Sequence, residues 1–106
     1  MAVIVKTLEP SGILDGVTTN ELKSQISDFF REDAEIFILD MKDVTFMNSS
    51  GIGALVAILK MIRAKEKQLY LCGLTDQVKM IFKLTKMERV FKIFGSREEF
   101  DENVIK

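Results

Sequence analysis

Ile36-Phe37-Ile38-Leu39 is an unbroken run of β-forming apolar residues that ends directly on Asp40. A strand that is apolar at every position leaves no side for water, so it must be covered on both faces. That is the signature of a central strand in an α/β domain. A short loop and turn, Met41 to Met47, is expected to follow, and Asn48-Ser49-Ser50-Gly51 leads into a helix. The helix is marked by Ile52, Leu55, Val56, Leu59 and Ile62, which recur at helical spacing. The serine pair therefore falls at the carboxyl end of a central strand, where open α/β sheets place their sites.

The rest of the chain repeats this grammar. Val3-Ile4-Val5 begins a strand, Pro10-Ser11-Gly12 turns the chain, and Ile13-Leu14 reads as a short hairpin partner, broken by Asp15-Gly16. Thr18-Thr19-Asn20-Glu21 has capping-box spacing ahead of an apolar stripe of Leu22, Ile26, Phe29 and Phe30. Leu69 to Cys72 is another strand, closed by Gly73. Thr75 is placed to cap a helix carrying Val78, Ile81 and Phe82. Phe91 to Phe94 gives an edge strand, and Ser96-Arg97-Glu98-Glu99 starts a last short helix with Phe100 and Val104. Alternating strands and helices imply right-handed parallel crossovers, and the opening hairpin adds an antiparallel element. The expectation is one α/β domain over residues 1–106, with a mixed, mostly parallel sheet of about five strands and about four helices.

Composition narrows the chemistry. The 106 residues contain no histidine, which excludes Ser-His and Cys-His nucleophilic catalysis and imidazole metal sites. Cys72 is the lone cysteine, in an apolar run, and reads as a buried strand residue. The 15 basic and 16 acidic side chains nearly cancel, so no imbalance points to nucleic acid or an anionic membrane as main partner. Met1 to Lys6 is too short and wrongly ordered for a signal peptide, and Ile52 to Leu59, the continuous apolar part of the uncharged Val44–Leu59 segment, is too short for a membrane span. A soluble, cytoplasmic protein is expected.

Read by itself, Ser-Ser-Gly at a helix start has a structural explanation. Asn48 or Ser49 caps the helix, while Gly51 and Gly53 let its N-terminus approach the sheet. Gly51-Ile52-Gly53 lacks the third glycine and the lysine of a phosphate-binding loop, which counts against a nucleotide site. A phosphorylated serine here would have a definite effect. It would add about −1.5 to −2 charges where free N–H groups and the helix dipole tolerate them. A partner that had buried a neutral hydroxyl would then meet desolvation and repulsion, while the fold survived.

The stretch from Asp40 to Leu55, together with Gly12-Ile13-Leu14-Asp15, the first helix and the Leu84–Phe94 tail, resembles the STAS domain of anti-sigma-factor antagonists and sulphate-transporter tails. Lacking a transmembrane segment, the chain is more similar to the stand-alone antagonists. The resemblance implies a regulatory binding module rather than an enzyme, with no cofactor. Its partners would be an anti-sigma-factor-type serine kinase and a protein phosphatase that resets the switch. The serine before the glycine, Ser50, would be the phosphoacceptor. Asp15, Met47, Asn48, Ser49, Gly51 and Ile52 would form the partner surface, with Met47 and Ile52 as exposed apolar contacts. The family pattern has Asp where this chain has Asn48, which removes a negative charge beside the acceptor. Two alternatives remain: a constitutive scaffold STAS domain that is never phosphorylated, and a small nucleotide-binding protein of flavodoxin-like shape.

Overall fold

A computed structural model describes residues 3–105, so Met1, Ala2 and Lys106 lie outside the described residues. In chain order the elements are β1 (Val5–Leu8), β2 (Ser11–Leu14), α1 (Gly16–Phe30), β3 (Ile36–Asp40), β4 (Asp43–Met47), α2 (Ser49–Ala64), β5 (Gln68–Cys72), α3 (Asp76–Leu84), β6 (Lys92–Phe94) and α4 (Arg97–Phe100). A 3-10 turn at Met87–Arg89 leads into β6, and a π turn at Asp101–Ile105 follows α4. The fold class is the expected one, α/β with four α-helices, but every described strand pairing is parallel, so the sheet is not mixed.

The main sheet has the order β1-β3-β5-β6, and β2 pairs with β4 in a second, two-stranded sheet. The expected hairpin between the first two strands does not form. β1 runs parallel to β3, with Val5 beside Ile36 and Leu8 beside Leu39, and β2 runs parallel to β4. Glu9-Pro10 and Met41-Lys42 interrupt both chains at the same level, so one ladder bends and continues instead of folding back. Pro10, with no N–H for a ladder, marks the bend. Val3 and Ile4, expected within the first strand, precede it and are exposed.

β4 lies where a loop and turn are expected. Its pairing explains why it is hard to see. Gly12 pairs with Val44 but Ile13 pairs with Phe46, leaving Thr45 as an extra residue. Such a bulge shifts the inside–outside alternation by one position, so Val44 and Met47 are buried while Thr45 and Phe46 are exposed.

Successive residues of the central strands serve opposite faces. Phe37, Leu39, Leu69 and Leu71 join the larger core with Leu22 and Ile26 of α1, Leu55, Ile58, Leu59 and Ile62 of α2, and Val78 and Phe82 of α3. Ile38, Tyr70 and Cys72 face the other way, against Phe100 of α4. Both faces of β3 are thus covered, as its unbroken apolar run requires. Phe30 at the end of α1 meets Phe37 edge-on, with ring centroids 5.4 Å apart.

Candidate functional site

Two helix N-termini meet at the candidate site. α2 begins at Ser49 because Asn48 leaves β4 in an extended conformation and its Oδ1 accepts from the Gly51 N–H at 2.8 Å. Of the two residues able to cap this helix, Asn48 is the one that does. Ser49 and Ser50 occupy the first two helical positions and are both exposed.

α1 starts earlier than its sequence suggests. The expected box on Thr18 and Glu21 is replaced by one on Asp15 and Thr18. The Asp15 carboxylate accepts from the Val17 and Thr18 N–H groups at 3.0 Å each, and the Asp15 N–H donates to Thr18 Oγ1 at 2.9 Å. A carboxylate at the strand end takes two helix donors at once, which a threonine hydroxyl further along could not reach. These bonds hold the Asp15 carboxyl below its ordinary pKa, the Thr18 backbone N–H being the main cause.

The two turns interlock through Gly51. The Leu14 carbonyl oxygen fills the place that a Cβ on Gly51 would need, and the Asp15 nitrogen would lie 3.3 Å from that atom. The Asn48 N–H also donates to the Leu14 carbonyl at 3.3 Å. A Cβ on Gly16 would sit 3.9 Å from Ser50 Cβ, so the first turn of α1 stands directly beside Ser50. The structure therefore gathers Asp15, Asn48, Ser49, Ser50 and Gly51 in one small region.

The other expected site residues separate. Met47 is only 2% exposed and belongs to the larger core, so it is not the exposed contact expected of it. The bulge at Thr45 is the reason, since it turns Met47 inward. Ile52 is half-buried and packs against the same core, while Gly51 is buried. In place of Met47 the surface presents Phe46, 49% exposed, with Ile13 beside it on β2 and Val17 in the first turn of α1. Periodicity could not have revealed Phe46 because the bulge breaks it. Ile13 and Val17 did carry a signal, being apolar residues next to polar turn residues.

Among the described residues no group of three His, Cys, Asp or Glu side chains could hold a metal ion. Burial pushes the Cys72 thiol up to about 11, far from a reactive thiolate. No helix among the described residues is long and apolar enough to cross a membrane.

Comparison with known proteins places these features in context. Residues 3–100 match the STAS domain family. The anti-sigma-B factor antagonist of Listeria monocytogenes is 25% identical over 93 residues, covering 88% of this chain and 82% of that protein. The anti-sigma-B factor antagonist of Staphylococcus aureus is 26% identical over 82 residues, covering 77% of this chain and 76% of that protein. Among solved structures, the anti-sigma factor antagonist SpoIIAA in its unphosphorylated form superimposes with a TM-score of 0.73 at 18% identity, covering 96% of this chain and 90% of that one. The Bacillus cell fate determinant SpoIIAA in its phosphorylated form gives a TM-score of 0.67, also at 18% identity, covering 96% of this chain and 94% of that one. At that identity the two structures speak for the fold.

Proposed function

Since the chain belongs to the STAS domain family, we propose that it is a regulatory binding module of the anti-sigma-factor antagonist type. Serine phosphorylation at the first turn of α2 controls which partner it holds. The partner of the unphosphorylated form is an anti-sigma-factor-type serine kinase, and a protein phosphatase restores that form. The relatives named as anti-sigma-B factor antagonists support this reading.

The observation that carries it is the setting of the serine pair. Ser49 and Ser50 are exposed at a helix N-terminus whose foundation, Gly51 against Leu14, leaves little room to move. The first N–H groups of a helix have no intrahelical partners, so a phosphate here meets donors and the positive end of the dipole. The fold is kept and the surface changes. Asp15 and Gly16 lie against the Gly51 and Ser50 turn, and the surface nearby in the chain exposes Val17 and the paired Ile13 and Phe46, which a partner would cover in the neutral state. Introducing a phosphate at the rim of that contact charges a surface the partner must desolvate.

Ser50 is the acceptor that the family resemblance implies, and Ser49 is a second exposed hydroxyl one position nearer the cap. Asn48, uncharged where the family pattern has Asp, favours a second reading in which the domain binds constitutively. Affinity for an anti-sigma-factor-type serine kinase, measured for wild type, Ser50→Ala and Ser50→Asp, tests the proposal. Tight binding of the first two and weak binding of the third is expected. Equal affinity of all three would refute control by charge.

A further inference from the structure

The near-neutral total charge hides a strongly basic segment. Between residues 79 and 92 the chain carries Lys79, Lys83, Lys86, Arg89 and Lys92 against Glu88 alone. None of these cations forms an ion pair with a described residue. On α3, Val78 and Phe82 point into the core, while Lys79 and Lys83 stand one turn apart on the exposed side. Beyond them are Met80 and Leu84, also one turn apart, 64% and 76% exposed. Before them is a hollow of about 360 Å³ between α3 and β6, lined by Leu74, Phe82 and Ile93 together with Lys79, Lys83 and Glu88. The fold does not need Met80 or Leu84, yet it exposes both beside the two lysines.

We propose that this face of α3 is a second docking surface, for an acidic amphipathic helix of a partner protein. Charge complementarity selects that occupant: two lysines in register along a helix match carboxylates at the same spacing on a facing helix. Apolar surface on both sides of the lysine row gives such a helix places for its leucine-type anchors, and the thioether of Met80 adapts to them. An anionic membrane fits less well. Two exposed apolar side chains provide too little insertion for stable anchoring. None of these residues lies in the Ser50 loop, so this surface stands apart from the phosphorylation proposal.

The test is fluorescence anisotropy with a labelled synthetic helix bearing leucines on one face and glutamates along its flanks, supported by amide chemical-shift mapping. Saturable binding with shifts confined to α3, the following turn and β6 is expected. Lys79→Glu/Lys83→Glu should weaken it roughly tenfold or more, and Met80→Ser/Leu84→Ser by several-fold, with circular dichroism unchanged. Ser50→Asp should have no effect. The proposal is overturned if the peptide does not bind, or if a polyglutamate lacking leucines binds equally well. It is also overturned if only phosphatidylglycerol vesicles bind, or if the free protein sediments as a dimer that Lys79→Glu/Lys83→Glu dissociates.

Discussion

The Leu14 carbonyl group occupies the space a side chain on Gly51 would require, its carbonyl carbon lying 2.7 Å from where a Cβ would stand. Backbone, not a flexible side chain, is the obstacle, so relief would need β2 and α2 to separate. Gly51→Ala should destabilise the domain by about 1–3 kcal/mol or more, read from chemical denaturation. Gly53→Ala provides the control. Nothing lies within 4 Å of a Cβ at that position, so it should be tolerated.

Asn48 has a structural duty separable from any part in recognition. Asn48→Ala removes the acceptor for the Gly51 N–H and should cost about 1 kcal/mol of stability. Asn48→Asp keeps that acceptor and should fold as well as wild type, while adding a charge beside the serines. A kinase assay comparing wild type with Asn48→Asp would show whether that charge affects recognition.

Acid should weaken the α1 cap selectively. The Asp15 carboxyl is held below its ordinary value of 3.8 in the folded state, chiefly by the Thr18 N–H. Its contribution is therefore full above the unfolded pKa and disappears as pH falls through the folded one. Asp15→Asn retains a neutral acceptor. The Tm advantage of wild type over Asp15→Asn should shrink as the pH falls through and below the ordinary carboxyl value of 3.8. A gap that does not change with pH would refute the assignment.

Cys72 should resist alkylation in the native protein. Its thiol is buried and pushed up to about 11 by that burial, so iodoacetamide at neutral pH should modify it only after unfolding.

The exposed apolar group of Ile13, Val17 and Phe46 should matter for binding and not for folding. Ile13→Ser and Phe46→Ser remove surface that is already about half in water, so each should cost only about 1 kcal/mol of stability and leave the domain folded. Affinity for the kinase should fall by about 1 kcal/mol or more for each.

These residues also show what the sequence could and could not disclose. The buried strand at Ile36–Leu39, the α2 stripe, the caps at Thr75 and Ser96, and the place of the serine pair were all legible, because each follows from local pattern. β4 was hidden by the bulge at Thr45, and with it the inward turn of Met47 and the outward turn of Phe46. The pairing of β1 with β3 was beyond local pattern, since Pro10-Ser11-Gly12 reads equally well as a reversal or a bend. Gly51 was expected to permit close packing, but that its neighbour is the Leu14 carbonyl is a tertiary fact.

Intact mass spectrometry reads phosphate on the serine pair most directly. The protein is incubated with ATP and an anti-sigma-factor-type serine kinase, as wild type, Ser49→Ala and Ser50→Ala. A single phosphate is expected on wild type and Ser49→Ala and is lost in Ser50→Ala. Loss in Ser49→Ala alone would move the acceptor by one residue and contradict the assignment of Ser50. Absence of any adduct on wild type would contradict the switch itself.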